Sequence, residues 1–272
     1  MKGGWFKGYV IAYLIFLYAP IALLPIFAFN DSAIVAFPLS EFTTSWFEQL
    51  MHEPQLHAAL KNSLIIAVST SIISTALGVL AARASTRYRF PLKSGIMGMI
   101  TLPLVLPEII AAVSLLTVFL AIGPYIGLEL SIVTIILGHV LFCTPFAVVI
   151  LTGAFSVLDK SLEEAALDLG ETPVSTFFLV ILPLVMPGII SSLLITFTVS
   201  LDEFIMAFFL GGTTVTLPVY IFSQFRFPQS VPVILALGTI LVLLSITLLA
   251  IAEYFRRRGI AKSGGKDTGG FL

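Results

Sequence analysis

Charge is what this chain has least of. Only 11% of its 272 residues are Asp, Glu, Lys or Arg, against about 25% in an ordinary soluble domain. That is too little to clothe a soluble surface of this size, so a soluble globular protein is excluded. The net charge of −1 leaves neither a basic field for nucleic acid nor an acidic tail. Cysteine is nearly absent as well. Cys143 alone excludes an internal disulfide and any thiolate metal pattern, and its apolar neighbourhood marks it as a packing residue. There is no H-E-x-x-H, no G-x-S-x-G and no supported Cys–His arrangement, so nothing favours a membrane enzyme. The phosphate-cradling G-x-x-x-x-G-K-[ST] loop is missing too, because Gly264-Gly265-Lys266 lacks the spacing.

What the chain has in excess is hydrophobic residues, at 58%. A bilayer core asks for about 20 consecutive apolar residues per helix. Such runs lie at 8–29, 63–82, 95–122, 130–151, 177–210 and 231–251, too long for the strands of an outer-membrane barrel. Lys2 and Lys7 ahead of the first run resemble a signal peptide. The run exceeds a cleavable core and no small-x-small site follows it, so a retained span is expected. The fold class expected is therefore all-α integral membrane with six transmembrane helices, one domain over 1–259 and a disordered polar tail at 260–272. Prolines at 20, 25, 103, 107, 183 and 187 remove backbone donors inside spans and predict kinks there. Lys and Arg resist translocation, and cytoplasmic N and C termini place every basic residue but Lys61 and Arg226 on the inner side. The outer loop from 30 to 59 is mildly acidic, and Trp46 and Phe47 suit the membrane interface.

One inner loop, 156–176, is long and carries its own structural signals. Ser161 with Glu164 reads as a capping box. Leu162, Ala165, Ala166 and Leu169 follow at helical spacing, Gly170 reads as a left-handed stop, and Thr172-Pro173 as the cap of a second helix. Two helical turns do not persist alone in water, so the loop either lies on the inner leaflet or docks into a partner. Glu164-Ala165-Ala166, Gly170, Val180 and Leu182-Pro183 resemble the EAA motif of ATP-binding-cassette (ABC) importer permeases, with Val180 in place of the usual Ile. That resemblance implies the type I ABC importer permease fold. It also implies a coupling helix seated on a cytoplasmic ATPase through Glu164, Ala165, Ala166, Gly170 and Pro183. It further implies no cofactor bound by this chain, ATP and Mg residing on the partner subunits.

Three acids lie inside the expected spans, where a charge costs about 2.5–3.5 kcal/mol on an insertion scale. Glu108 follows Pro107 near the middle of the third span, where the helix should break. Asp202 and Glu203 lie about 12 Å from the outer end of the fifth at 1.5 Å per residue. Ser192, Thr196, Ser200 and Glu203 share one helix face turned to the bundle interior. Adjacent helical positions point about 100° apart, so Asp202 and Glu203 need different partners. Carboxylates beside a water-filled passage would attract cations; the alternative is that they cap broken helices or bond to Ser, Thr or a partner's arginine. His139 reads as packing, and Glu253 as paired with Arg256 or Arg257.

A wider resemblance runs over most of the chain. Phe42-Thr43-Thr44 with Trp46, Tyr88-Arg89-Phe90, Pro107-Glu108, Phe142-Cys143 with Pro145-Phe146, and Phe197-Thr198 with Ser200-Leu201-Asp202-Glu203 are similar to the C-type permease subunit of spermidine/putrescine importers. This implies polyamine uptake across the bacterial inner membrane by alternating access. It implies as partners a second homologous permease forming a heterodimer, two ATPase subunits and a periplasmic substrate-binding protein. Asp202 would match the family's acidic position in the fifth span, with Glu203 and Glu108 completing a substrate pathway. The likeness extends to importers of opines, phosphonates and amino-acid-like solutes. An ion-coupled secondary carrier is the competing class; carriers usually have more spans and paired halves, and they do not call for an ordered inner knob.

Overall fold

A chain immersed in hydrocarbon must satisfy its own backbone, and helices do so within each segment. The computed structural model describes residues 3–263, with side chains described over 5–247. In order come α1 (Gly3–Ala28), α2 (Ser45–Met51), α3 (Pro54–Arg87), α4 (Lys93–Thr101), α5 (Glu108–Ile126) and α6 (Ile132–Ser156). Then follow α7 (Lys160–Asp168), α8 (Pro173–Thr176), α9 (Leu182–Asp202), α10 (Ile205–Leu210), α11 (Leu217–Gln224) and α12 (Val231–Ser263). Among the described residues six helical segments are long and apolar enough to cross a membrane: Trp5–Ala28, Pro54–Arg87, Glu108–Ile126, Ile132–Ser156, Pro173–Asp202 and Pro228–Thr247. Among the described residues the β pairing is confined to one isolated bridge, Asn30 with Phe42.

The helices form two compact units, Gln55–Tyr220 and a second made of Met1–Pro54 with Ile221–Leu272. In the terminal unit α1 packs along α12, Leu24 lying beside Gly238. From Trp5 to Leu23 α1 is exposed on every face. An all-round apolar helix of that kind belongs in lipid or against another protein. The link after α1 is knotted around Asn30, whose side chain accepts from the Ser40 backbone N–H at 2.7 Å and the Ser40 hydroxyl at 2.9 Å. The Trp46 indole donates to the Asn30 carbonyl at 3.0 Å, so the ring expected at the interface also pins this link.

The central unit is built on α6. Ile66, Ala112, Ile135, Met206, Ala207 and Leu210 form one core between α3, α5, α6 and α10. Ala82, Ala147, Leu151, Phe155, Ile181 and Val185 form a second where α3, α6 and α9 meet. Lipid supplies no hydrophobic drive between helices, so close backbone approach through small residues takes its place. A Cβ added at Gly78 would stand 2.7 Å from the Ala147 Cβ, and one at Gly188 would stand 2.5 Å from the Ala154 Cβ.

The prolines act unequally. α1 runs unbroken through Pro20 and Pro25. At Pro103 and Pro107 the helix does break: α4 ends at Thr101, Leu102–Leu104 form a 3-10 turn, and α5 restarts at Glu108. The third span is therefore Glu108–Ile126 and not 95–122, and Glu108 opens it instead of lying near its middle. The physical reason is that each proline lacks the backbone N–H that a continuing helix needs, and Pro107, at ψ 125, leads the chain into α5 as its N-cap. Upstream of Pro183 the helix widens into a π turn at Phe177–Ile181, which absorbs the lost donor. The fifth span ends at Asp202 instead of running to 210, and α10 follows as a separate helix. The Glu253 pairing lies beyond the described side chains; of the tail expected to be disordered over 260–272, residues 260–263 instead continue α12, and the rest lies outside the described residues.

Candidate functional site

The 156–176 loop folds into a peg of two short helices. Its start corrects the sequence reading. The N-cap is Asp159, whose carboxylate accepts from the Ser161 backbone N–H at 2.9 Å, so Ser161 and Glu164 form no capping box. The tighter Asp turn places the helix start two residues earlier. The two hydrogen bonds from Ser161, backbone then side chain, hold the Asp159 carboxyl below its ordinary range, and the Arg87 charge adds to this. Its capping contribution is present at neutral pH and lost as pH falls through that lowered value.

The stop is as expected. Gly170 sits at φ +93, a left-handed value that L side chains avoid. The Gly170 N–H bonds back to the Leu167 carbonyl at 3.0 Å and the Glu171 N–H to the Ala166 carbonyl at 3.1 Å, which satisfies the last carbonyls of α7. Thr172 caps α8, accepting from the Ser175 N–H at 3.2 Å, with Pro173 as its first residue.

Of the five motif residues, Ala166 is buried inside the peg, while Glu164, Ala165 and Gly170 are exposed. Pro183 lies in the first turn of α9, just past the π turn. The apolar residues Leu162, Leu169 and Val174 are exposed at 46%, 87% and 67%. Such a surface on an isolated peg stays wetted unless something covers it.

What sequence reasoning missed is how the peg is held. Glu163, the neighbour of the motif glutamate, bonds the Arg83 guanidinium at 2.7 Å and lies 3.4 Å from Arg87 Nε. The three side chains are only 22%, 15% and 9% exposed, which lifts the group above the near-zero worth of a surface pair. Arg87 also donates to the Leu158 carbonyl at 3.1 Å, and Arg83 lies over the Phe177 ring at 4.9 Å. A signal was there: two arginines four apart at a span end, one face of a helix, opposite an acidic loop.

The intramembrane acids separate sharply. Asp202 is exposed at the C-terminal end of α9, whereas Glu203 is buried. Glu203 Oε1 accepts from the Met206 N–H at 2.8 Å and so caps α10. Its carboxyl lies near that of Glu108, whose Oε1 is buried without a partner. Thus Glu108 and Glu203 come together and Asp202 stands apart. The hydroxyl stripe of α9 is buried helix-to-helix contact. Ser192 bonds Thr75 of α3 at 3.0 Å, Ser200 bonds His139 Nδ1 of α6 at 2.8 Å, and Cys143 Sγ lies 3.8 Å from the Thr196 carbonyl. His139 is a buried packing residue with a hydrogen-bond partner the sequence did not reveal.

A bundle of this kind, with spanning helices broken at acids and an ordered peg at one end, defines a polytopic membrane permease. Residues 74–260 match the family described as binding-protein-dependent transport system inner membrane component. The chain belongs to that family and is an inner-membrane component of such a transport system. It is 40% identical over 231 residues to the putrescine transport system permease protein PotI of Escherichia coli (strain K12), covering 84% of this chain and 82% of that one. To the spermidine/putrescine transport system permease protein PotC of the same strain it is 33% identical over 251 residues, covering 92% and 93%. In fold it is similar to a chain of a bacterial ABC transporter that imports the acidic polysaccharide alginate, with a TM-score of 0.68 at 17% identity, covering 94% of this chain and 98% of that one. It is also similar to a chain of the inward-facing MetNI methionine ABC transporter, with a TM-score of 0.59 at 17% identity, covering 80% and 99%. These likenesses establish the type I importer permease fold.

Proposed function

We propose that this chain imports polyamines by alternating access, driven by separate cytoplasmic ATPase subunits that receive the α7–α8 peg. The observation that carries the reading is the peg itself: a glycine-stopped helix pair, anchored by Glu163, with Leu162, Leu169 and Val174 left uncovered. A stiff element with an open apolar face suits a groove in a second protein. Glu164, Ala165 and Gly170 form the docking side, Ala166 packs behind them, and Pro183 sets the turn where the peg joins α9. With the termini and the peg inside the cell, the basic residues keep to the cytoplasmic face. A second permease copy or homologue completes the pathway, and a periplasmic binding protein delivers the solute. The chain binds no cofactor; ATP and Mg belong to the motor subunits.

The polyamine assignment is supported by the two relatives above and by the charge pattern. Asp202 ends α9, where the helix dipole disfavours an anion, and among the described residues it enters no salt bridge. A cationic solute would relieve that charge, with the Glu108–Glu203 pair behind it. The test is reconstitution in proteoliposomes. Affinity capture of the tagged chain should recover an ATPase, putrescine uptake should require ATP, and Asp202→Asn should lower uptake about tenfold, one lost charge contact of roughly 1.4 kcal/mol. Uptake driven by an ion gradient without any ATPase would overturn the reading.

A further inference from the structure

Docking alone moves nothing. A push on α7 reaches the membrane helices only through joints stiffer than the turns that flank it. Covalently α7 follows α6 and precedes α9, yet its firmest side-chain joint is to neither. It is to α3, whose Arg83 stands 80 positions before Glu163 in sequence. The end of α3 grips the peg at three heights. Arg87 holds the Leu158 carbonyl ahead of α7, Arg83 and Arg87 hold Glu163 within α7, and Arg83 covers Phe177 just after α8.

The other end of α3 is held as well. Leu217 N–H donates to the buried Ser63 hydroxyl at 2.8 Å, and Asn62 Nδ2 donates to the Val215 carbonyl at 3.0 Å. Both grips lie on one helix of 34 residues, and the stretch from Ser63 to Arg83 between them is about 30 Å long at 1.5 Å per residue. α3 contains no proline after Pro54, and proline is the usual cause of a sharp kink. It is also laced to α9 midway through Thr75 and Ser192.

We infer that α3 is the push-rod of the permease, and that the Glu163–Arg83/Arg87 clamp passes displacement of the peg along α3 to the 213–217 segment at its far end. Glu163, Arg83 and Arg87 are positioning residues: they touch neither solute nor nucleotide. The inference rests on the docking reading above, and it assigns separate tasks to neighbouring glutamates. Glu164 faces out to the motor, while Glu163 faces in to the rod.

The test is solute moved per ATP hydrolysed, measured on the whole complex in proteoliposomes with putrescine as the probe. Glu163→Gln keeps shape and removes the charge. It should leave ATPase recovery and ATP hydrolysis near wild type while putrescine moved per ATP falls about tenfold. Arg83→Lys keeps the charge but gives up the planar fork and the stacking on Phe177, and should fall by a smaller factor. The doubly substituted Arg83→Glu, Glu163→Arg chain should recover part of the ratio lost by either change alone. A merely structural role would lower the amount of complex, and with it uptake and hydrolysis together, leaving the ratio fixed. An unchanged ratio in Glu163→Gln would therefore overturn the inference. So would loss of ATPase recovery in that variant alone, which would make Glu163 a docking contact. Failure of the wild-type chain to recover any ATPase would bring down the docking reading, and this inference with it.

Discussion

The α9 stripe and the α7–α8 peg are both polar stretches in an apolar chain, and they spend their polarity in opposite directions. Along the buried stripe of α9 and just past its end, Ser192 is satisfied by Thr75 of α3, Ser200 by His139 of α6, Thr196 by the Ser192 carbonyl of its own helix, and Glu203 by the Met206 N–H. In the peg Glu163 turns to α3, and Ala166 and Thr176 are buried. Glu164 and the apolar residues Leu162, Leu169 and Val174 remain open. Polar groups in hydrocarbon have no water to fall back on, so they are used up in assembly. Polar and apolar groups beyond the bilayer keep water as an alternative and stay free for a partner. Asp202 is the exception that sharpens the contrast, being exposed in a spanning helix whose other polar residues along that stripe are buried.

That contrast can be broken from either side, and the peg should give the largest effect. At Gly170, φ +93 is a conformation an L residue enters only at about 1–2 kcal/mol. Gly170→Asp should abolish transport by more than about tenfold, beyond what that strain alone would predict, because the docking side is misaligned. The amount of inserted chain in the membrane fraction should stay near wild type, and loss of insertion would show that the peg is a folding element. Next comes Glu203. Glu203→Ala leaves the buried Met206 N–H unpaired at a cost of about 1–3 kcal/mol, so the melting temperature in detergent should fall by roughly 2–4 °C for each kcal/mol lost. Glu203→Gln keeps an acceptor and should fall less. ATPase recovery should be normal in both, and impaired recovery would join two regions held here to be independent. The smallest effect belongs to Ser200→Ala. Losing one interhelical bond to His139 is worth about 0.6 kcal/mol in membrane bundles. It should shift the melting temperature slightly and leave solute moved per ATP unchanged.

Much of the fold was legible because membrane helices are specified by composition over a long window, and six apolar runs need no tertiary context. Boundaries were less so. The third run looked continuous from 95 to 122 because hydropathy is blind to backbone geometry, whereas Pro103 and Pro107 end one helix and begin another. Likewise the fifth run hid the break between Asp202 and Ile205. In the candidate site, Gly170 and Thr172-Pro173 were readable because their signals are local, a positive φ and a cap. Ser161 and Glu164 misled as a capping box because Asp159, a stronger local acceptor, lies two residues upstream.

By itself the sequence determined the solvent of this protein, the number of its spans, and the presence of a glycine-stopped peg between the fourth and fifth. Those follow from side-chain transfer energies and local backbone preference, which act over a few turns at most. Only the tertiary structure decided which glutamate faces out and which in, that Glu108 meets Glu203 and not Asp202, and that α3 grips the peg. Partners separated by 80 or more positions in sequence are chosen by packing, and no periodicity along one segment carries that information.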